Sequence, residues 1–545
     1  MKIAKVKACS GVLSSLFLLT PLIAVDNPAV PLSKDVSAGP ANVTTNSMAA
    51  EPIRIGKEHQ LFLDNYLIEK MTNVTRRVCP VRKYEGNPVI ARKEEWEPQR
   101  YIFSGGTVMY DEEEKLYKLW INGQSAYGLG VYYFTSQDGI RWDKPETDQF
   151  KELDGRATHR VVCGCDRMRI FDRLPKEKAD LVRKLDKGWQ VFNSMFSVIK
   201  DPREDPSRRY KLGFLWSDEK YQVPGTTNIV LNRVLGVAFS PDGIHWKVVN
   251  EPASKVVADG TTHIMFDQKI GRFVLYGRCY HMPPARTARY SSYPDFEFND
   301  GRAVNRAEST DFLKWEPDKG KVIFWSSAVD DPMEEIYGMC PFIYEGIYIA
   351  LIEVLHINRG NNWMDIRLGV SRDGIKFDWL SDRSAFIPVG GVGEWDRFCN
   401  KAGGDPIPAG DDLRFYYSGR NSRHGSRVGD RLADNSQPPR DAVGLGTIKR
   451  DRFAALEATF AAGTLRTKPL VFEGKKLHLN AAVKFGKLTV ALIGADGKKI
   501  DEVTIEGQDG LDIVAPLTKL AESTGKPVRL EFTIANGQLY SFWFD

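Results

Sequence analysis

The chain has 545 residues, which is too long for one ordinary domain, so we expect two or more packed units. Its composition is that of a globular protein, with 42% hydrophobic and 27% charged residues, and 75 basic residues nearly balance 71 acidic ones. Because the net charge is only +4 and no long block of one sign occurs, the sequence argues against nucleic acid or an anionic membrane surface as a partner.

Residues 1–25 have the pattern of a secretory signal peptide: three lysines, then an apolar run interrupted by Pro21, then small residues. The mature chain is therefore predicted to be secreted or periplasmic. Residues 26–50 are rich in Pro, Ala, Ser, Thr and Asn without hydrophobic periodicity, which predicts a disordered linker. No other segment approaches ~18 uninterrupted apolar residues, so no membrane span is predicted.

Residues 51–460 repeat one kind of hairpin. Its copies are FTSQDGIRW from residue 134, FSPDGIHW from 239, STDFLKW from 309 and VSRDGIKF from 370. Asp-Gly between two strand-like runs indicates a tight turn of type I′, with positive φ at both central residues, and the preceding serine can hydrogen-bond the turn backbone. The third copy has Phe312 in place of Gly, so its turn is expected to differ in detail.

A second hairpin, such as GGTVMYDEEEKLYKLWI, precedes most copies, and a fifth copy is read in GLGTIKRDRFAAL. Two hairpins in each of five units predict a five-bladed β-propeller over residues 51–460. After residue 460 the alternating strands continue without this repeat, so residues 461–545 are predicted to form a small C-terminal β-sandwich. The predicted fold class is all-β.

These hairpins, NPVI at residue 87 and a C-terminal segment beginning GTLRTKPLVFEGKKLHLN resemble the exported glycoside hydrolases of family 32 and family 43. The resemblance implies that two carboxyl groups at the propeller axis cleave the glycosidic bonds of an oligo- or polysaccharide substrate. It implies no cofactor, although some arabinanase-like relatives hold a structural calcium ion near the axis. The family 32 motifs are only weakly matched, by Asp64 in HQLFLDNYLIEK and by Asp201 in IKDPRED.

Polar residues stand where each predicted inner strand begins. Glycoside cleavage needs one protonated and one ionised carboxyl group. We interpret Glu335 as the general acid, because it enters a strand beside apolar Ile336 and Tyr337, and Asp396 and Asp259 as alternatives for the base or nucleophile. The predicted substrate-binding residues are Glu97, Arg100, His263, Arg397, Trp96, Trp395 and Asn193.

Structural alternatives stay open for several of these residues. Asp259 precedes Gly260 and could only form a turn, His263 could be a hydrogen-bonded core histidine, and Trp96 and Trp395 could close loops over the core. Six cysteines follow residue 25 without Cys-x-x-Cys spacing, so no metal site is predicted. The alternative functions are a non-catalytic carbohydrate-binding propeller, a glycoside phosphorylase and a polysaccharide lyase.

Overall fold

The computed structural model describes residues 51–93, 97–98, 100–125, 128–151, 156–164, 192–216, 220–222, 229–231, 234–256, 258–281, 301–327, 330–357, 362–424 and 441–545. Within this part of the chain the regular structure is almost all β-strand, with 3₁₀ helices at Pro206–Arg208 and Ala521–Ser523, so the all-β class is confirmed. No helix found there is both long and apolar enough to cross a membrane. The predicted signal peptide and linker lie outside the described residues.

Residues 51–545 form one compact unit. Its first five strands are short: β1 (Ile53–Ile55), β2 (Gln60–Leu61), β3 (Ile68–Thr72), β4 (Thr75–Val78) and β5 (Arg82–Lys83). The next strands are β6 (Arg100–Asp111), β7 (Leu116–Ser125), β8 (Gly128–Ser136), β9 (Thr147–Lys151), β10 (Ala157–Thr158) and β11 (Arg160–Cys163). The first sheet has the order β6-β7-β8-β11, and β9 pairs with β10.

Three four-stranded antiparallel sheets follow, each in chain order. The second sheet contains β12 (Phe192–Lys200), β13 (Tyr210–Trp216), β16 (Val234–Ser240) and β17 (Lys247–Val248), and β14 (Lys220–Gln222) pairs separately with β15 (Ile229–Leu231). The third contains β18 (Asp259–Asp267), β19 (Arg272–Tyr280), β20 (Arg302–Ser309) and β21 (Glu316–Trp325). The fourth contains β22 (Glu334–Tyr344), β23 (Ile347–His356), β24 (Trp363–Ser371) and β25 (Asp378–Trp379).

The fifth sheet combines four late strands of the chain with one early strand. Its strands are β26 (Lys401–Ala402), β27 (Ile407–Ala409), β28 (Asp412–Arg420) and β29 (Asp441–Lys449), and the early strand β5 pairs with β29. A single parallel bridge between Arg100 and Asp441 joins the fifth sheet to the first. These two residues thus begin neighbouring strands side by side.

Hydrophobic clusters lie between successive sheets. Each cluster contains members of two neighbouring sheets, and the last cluster connects the fifth sheet to the first. Representative pairs, in sheet order, are Trp120 and Phe214, Leu215 and Ile264, Tyr276 and Met339, Leu351 and Phe415, and Tyr416 and Leu119. The first strands also pack on one another, β6 on β12, β12 on β18 and β18 on β22. The first strands therefore surround the middle of a ring of sheets.

The remaining strands are β30 (Ala454–Ala458), β31 (Gly463–Thr467), β32 (Leu470–Phe472), β33 (Leu477–Ala482), β34 (Lys487–Gly494), β35 (Lys499–Glu506), β36 (Asp509–Ala515), β37 (Val528–Ala535) and β38 (Gly537–Phe544). They form a seven-stranded and a six-stranded sheet, which β1 to β4 complete, and one hydrophobic cluster draws on both sheets. The prediction placed residues 53–78 in the propeller domain of residues 51–460; in the structure their strands pair with strands after residue 454. Alternation identifies a strand but does not name a partner about 400 residues away.

The repeated turns are held by their own side chains. In the second copy, Ser240 Oγ accepts hydrogen bonds from the N–H groups of Asp242 and Gly243 at 3.2 and 2.9 Å, and Asp242 Oδ1 accepts from the next two N–H groups. Burial opposes ionisation of Asp242, but these donors and His245 lower its pKa to about 2. The predicted serine contact is confirmed, and the Asp is a structural residue.

The predicted turn type is wrong, because in the first four copies only the residue after the Asp has positive φ, as at Gly243 with φ +79°. The third copy was expected to differ, yet Phe312 adopts φ +65° and keeps the same serine contact. Its ring is fully buried among Phe239, Phe273 and Trp315, so packing offsets the strain of this conformation.

Candidate active site

A cavity of about 200 Å³ lies near the starts of the first strands of the first, fourth and fifth sheets. The charged and aromatic side chains on its wall are Arg100, Tyr337, Lys401, Arg420, His424 and Asp441. Three of these six are permanent cations, so we call it the cationic cavity. Arg100 comes from β6, Tyr337 from β22 and Lys401 from β26, whereas Arg420 ends β28 and Asp441 begins β29.

Asp441 is the acidic side chain of this wall. It is buried, with Oδ1 3.2 Å from Arg420 Nε and Oδ2 3.5 Å from Arg100 Nε. Neither oxygen accepts a hydrogen bond of good geometry from the described residues. Burial raises the pKa of Asp441, and the opposing effects of Arg420 and Arg100 do not cancel the rise. Asp441 is therefore suited to hold and release a proton.

Tyr337 is surrounded by cations. Its ring centroid lies 4.4 Å from the Arg278 guanidinium, 4.6 Å from Lys401 Nζ and 5.6 Å from the Arg302 guanidinium. Burial alone would raise the pKa of the phenol, but Lys401 and Arg278 outweigh it and the pKa is lowered. The positive charges around the phenol therefore favour its ionised form by more than burial opposes it.

His424 is the hydrogen-bond partner of this phenol, with Nε2 3.0 Å from the Tyr337 hydroxyl oxygen. Burial, followed by the charges of Lys401, Arg302 and Arg420, lowers the pKa of His424 to about 3. The imidazole is therefore neutral at neutral pH, and it adds no positive charge to the cavity.

Two further carboxyl groups lie close to these residues in the fold. Glu335, on β22 with Tyr337, is buried against the Arg302 guanidinium. Glu353 on β23 is fully buried, and it accepts hydrogen bonds from Thr261 Oγ1 at 2.7 Å and from the Ala402 N–H at 2.9 Å. Burial raises the pKa of Glu353. Its contacts join the third, fourth and fifth sheets, which is a structural role.

Among the predicted site residues, Arg100 lines the cationic cavity, and Glu335 is two residues from Tyr337. Asp259 begins β18 opposite Arg278 in the strand pairing. Asp396 is not on the cavity wall: its fully buried carboxylate contacts Lys83 Nζ at 2.6 Å and the Tyr417 hydroxyl at 2.9 Å. Because Lys83 belongs to β5, this ion pair fixes the closing strand of the fifth sheet, and the surroundings do not favour the predicted role as base or nucleophile.

The remaining binding candidates are dispersed. Glu97 is buried against Lys144 and accepts the Lys93 N–H, so it holds the loop before β6. Trp395 stacks on Tyr417 with ring centroids 5.7 Å apart and covers Gly419, which is core packing.

Two more candidates, Arg397 and Asn193, are not among the residues that line the cationic cavity. Arg397 places its guanidinium 5.0 Å from the Phe398 ring, and Asn193 lies half-buried at a bulge of β12. Trp96 lies outside the described residues.

His263 lies on a different cavity, of about 630 Å³, formed where the first strands end. Its Nδ1 is 3.5 Å from Ser197 Oγ, and its Nε2 is 3.4 Å from Asp405 Oδ1. The buried acid of this larger cavity, Asp111, is neutralised by Lys118 and Lys200 at 2.9 and 2.8 Å. Despite its greater volume, the larger cavity thus offers less reactive chemistry than the cationic cavity.

The sequence interpretation missed Asp441, Lys401, Arg420 and His424, because it considered only residues at the entries to the predicted inner strands and singled out other members of those segments. Asp441 opens β29, the third main strand of its sheet, and Arg420 closes the second. Two sequence signals indicate the buried carboxyl groups. Asp441 stands at the start of the apolar run DAVGLG, and Glu353 is the one charged residue inside IALIEVL.

No group of three or more His, Cys, Asp or Glu side chains in the described part of the chain is arranged to hold a metal ion. The absence of metal and cofactor stays a prediction. Cys399 borders the cationic cavity, and burial raises the pKa of its thiol to about 12, so it is not a nucleophile at neutral pH. Within the described residues Cys79, Cys279, Cys340 and Cys399 are free thiols.

No family model matches the chain, and no curated protein matches it. The chain does match solved structures. It is similar to a family 43 arabinoxylan arabinofuranohydrolase from Bacillus subtilis, with 11% identity over 85% of this chain and 99% of that one and a TM-score of 0.37. It is also similar to a glycosyl hydrolase from Bacteroides ovatus, with 12% identity over 72% and 98% and a TM-score of 0.40.

A third similar structure is an N-acetylgalactosamine deacetylase from F. plautii, with 11% identity over 70% of this chain and 96% of that one and a TM-score of 0.39. Among these similar structures are glycoside hydrolases, the class of enzyme that the sequence resembles. At such low identity and TM-score, they decide neither the reaction nor the substrate of this chain.

Proposed function

We propose that the chain is an exported glycoside hydrolase that binds its glycan at the cationic cavity. The observation that carries the proposal is Asp441: a buried carboxyl group on a cavity wall, with a raised pKa and no well-formed hydrogen bond from the described residues. Such a group can deliver a proton to a glycosidic oxygen. The signal-peptide pattern of residues 1–25 supports export to the periplasm or beyond.

The architecture proposed for this enzyme is a five-bladed β-propeller followed by a β-sandwich. Five sheets, each connected to its neighbours by a hydrophobic cluster, support five blades, with β5 as the outer strand of the fifth. Two sheets that share one hydrophobic cluster support the sandwich. A propeller binds its ligand where the first strands converge, which agrees with the position of the cationic cavity.

In the proposed mechanism Asp441 is the general acid, in place of Glu335. The Arg302 guanidinium against Glu335 suits a carboxylate that remains ionised, which is the state required of a base or nucleophile. Asp441 would protonate the leaving oxygen while Glu335 activates water or attacks the anomeric carbon. A separation of about 5–5.5 Å between the two groups would give retention, and about 6.5–9.5 Å inversion.

The cluster of Arg100, Lys401 and Arg420 supports a second candidate, a glycoside phosphorylase that uses inorganic phosphate in place of water. The two functions give different products from one glycan. A phosphorylase releases a sugar 1-phosphate only when phosphate is added, whereas a hydrolase releases free reducing sugar in its absence.

The experiment compares sugar release from a panel of plant, algal and bacterial glycans, with and without phosphate, by the wild type, Asp441→Asn and Glu335→Gln. Loss of a general acid or base typically costs about 10²–10⁴-fold in rate, so we expect both variants to fall by that factor. Asp496→Asn, an exposed acid near Lys498, serves as the matched control and should keep full activity.

Full activity of Asp441→Asn would remove Asp441 from the chemistry. No release from any glycan by the wild type would favour the non-catalytic carbohydrate-binding propeller.

A further inference from the structure

Five connections between the seven-stranded and the six-stranded sheet meet at one end of these two sheets. They are residues 73–74 between β3 and β4, 459–462 between β30 and β31, 483–486 between β33 and β34, 507–508 between β35 and β36, and Asn536 between β37 and β38. The pairing of β3 with β31 and of β4 with β30 places the first connection beside the second. Asn536 N–H donates to Thr459 O at 3.0 Å, and Gly507 N–H donates to Val483 O at 3.1 Å. We call these five connections the turn end.

Two phenylalanine rings project from the turn end into solvent. Phe460 is 84% exposed and Phe485 is 80% exposed, whereas Tyr280, the next most exposed aromatic side chain of the described residues, is 48% exposed. Neither ring belongs to the hydrophobic cluster between the two sheets, so their burial does not stabilise the fold. One exposed apolar side chain is ordinary on a protein surface, but two at the same end of a fold indicate a contact surface.

A single residue holds both phenylalanine turns. Besides the bond from its N–H to Thr459 O, Asn536 donates from its side-chain Nδ2 to Phe485 O at 2.8 Å. Asn536 has φ +50°, in the left-handed region that asparagine tolerates, which lets one residue connect β37 to β38. The spacing of the two turns is therefore set before a ligand binds, and this lowers the entropy cost of binding.

The turn end is almost uncharged. All of its residues are described by the structure, and they contain no Asp, Glu or Arg and one Lys, Lys484, whose Nζ lies 5.5 Å from the Phe485 ring centroid. Lys487, the first residue of β34, is paired with Glu506 on β35. The exposed polar side chains of the turn end, apart from this lysine, are those of Asn73, Thr459 and Gln508. Amide and hydroxyl groups both donate and accept hydrogen bonds, as sugar hydroxyl groups do.

The area of the two rings distinguishes between classes of partner. An aromatic side chain buries about 150–250 Å², so the pair offers about 300–500 Å². A stable protein interface buries about 800 Å² on each partner. Binding to an anionic membrane surface depends on several Lys or Arg side chains, and the turn end has one. A sugar chain is narrow, and aromatic faces with a few polar groups are sufficient to hold it.

We propose that the turn end is a second, non-catalytic binding site for a neutral polysaccharide, in which Phe460 and Phe485 stack on two sugar units of one chain. The polar side chains beside the rings bond the sugar hydroxyl groups. This inference goes beyond the proposed function, because it requires neither Asp441 nor cleavage. In a hydrolase such a site keeps the enzyme on the polymer between cleavage events, since a second contact raises the effective concentration of substrate.

The experiment measures binding by isothermal titration of the whole chain with soluble polymers. Arabinoxylan, arabinan, glucomannan and dextran are the neutral polymers, and polygalacturonate is the anionic one. We expect at least one neutral polymer to bind, and we expect it to bind Asp441→Asn through the turn end as well. Phe460→Ala and Phe485→Ala should each weaken its affinity about 5- to 30-fold, the usual range for truncating an aromatic contact residue.

Three further variants separate stacking from general apolar contact. Phe460→Tyr keeps a flat ring and should retain the affinity. Phe460→Leu keeps an apolar side chain without a ring and should lose as much affinity as Phe460→Ala. Val392→Ala removes an apolar side chain that is 82% exposed outside the turn end, and it should leave the affinity unchanged. Because all these side chains are exposed, thermal unfolding should occur at the wild-type temperature in every variant.

Four results would overturn the inference: affinity for no neutral polymer, tighter binding of polygalacturonate than of every neutral polymer, equal affinity in the wild type and the double variant Phe460→Ala with Phe485→Ala, or full affinity in Phe460→Leu. Phosphatidylserine vesicles that bind the wild type but not the double variant would also overturn it, by assigning the rings to a membrane surface. A dimer of the wild type that the double variant does not form would assign them to a second copy, with the same consequence.

The same titrations distinguish this inference from the proposed function. Polymer binding that is lost in Asp441→Asn and kept in both phenylalanine variants would refute the second site and leave the hydrolase intact. Polymer binding that depends on Phe460 and Phe485, without release of sugar from any glycan, would support the second site and refute the hydrolase.

Discussion

Replacing Asp111 by asparagine should lower the free energy of unfolding by about 3–5 kcal/mol, the usual cost of removing one partner of a buried ion pair. The side chain of Asp111 is fully buried and accepts from Lys118 at 2.9 Å, Lys200 at 2.8 Å and the Tyr210 hydroxyl at 2.9 Å. Lys118 is only 2% exposed, so in the variant its ammonium would lose its buried counter-charge. Two charge-assisted bonds of about 1.5–3 kcal/mol each give the same magnitude.

Urea unfolding followed by tryptophan fluorescence measures this change. Glu112→Gln on the same turn is the control, because Glu112 is 76% exposed and its ion pair is with exposed Lys115, and it should change stability by less than about 0.5 kcal/mol. The double variant Asp111→Asn with Lys118→Met should recover part of the loss, since no buried ammonium then remains at that position. A loss below about 1 kcal/mol in Asp111→Asn would refute the reasoning.

The same contact predicts a pH dependence. Lys200 and Lys118 outweigh the effect of burial and lower the pKa of Asp111 well below the ordinary value of about 3.9. A lowered folded pKa stabilises the fold above that ordinary value, and the contribution is lost as pH falls toward the folded pKa. The stability difference between wild type and Asp111→Asn should therefore shrink from pH 5 to pH 3, and a constant difference would contradict the assignment.

Two other predictions concern the scaffold. Ser240→Ala leaves the buried N–H of Gly243 without its acceptor and should cost about 1–3 kcal/mol in urea unfolding; a cost under 0.5 kcal/mol would contradict the role of the turn serine. His59 Nδ1 lies 2.7 Å from Asp451 Oδ2, and although burial opposes it, this carboxylate raises the pKa of His59. The pair should stabilise the fold fully below pH ~6.5 and lose that contribution as pH rises through the folded pKa. His59→Gln should therefore differ from wild type more at pH 5 than at pH 9, and an equal difference at both would refute the ion pair.

The local hairpins could be predicted from the sequence because their stabilising contacts span two or three residues, as from Ser240 to Gly243. The backbone conformation of the turn could not be predicted in the same way. Positive φ falls on the residue after the Asp in the first four copies, and in the third copy Phe312 adopts this conformation because of packing that no local pattern reveals. The strand starts drew attention to Arg100, which lines the cationic cavity, and to Glu335, which lies two residues before Tyr337 of the cavity wall.

The apolar run after Asp441 indicates burial, but its surroundings could not be recognised from the sequence, because they depend on Arg100, 341 positions earlier. The surroundings of Asp396 were hidden from the sequence for the same reason. Its surroundings are set by Lys83 from β5, and a sequence window around residue 396 contains no sign of that ammonium group.

The pairing of β1 to β4 with strands after residue 454 sets an order for folding during synthesis. At about 5–20 residues per second, the ribosome needs roughly 20–80 s to make the intervening 400 residues. Throughout that time the early strands present unpaired edges, which are prone to pair with other chains. A fragment ending near residue 460 would retain most of those unpaired edges. We therefore expect the C-terminal segment to protect the N-terminal strands from aggregation by pairing with them.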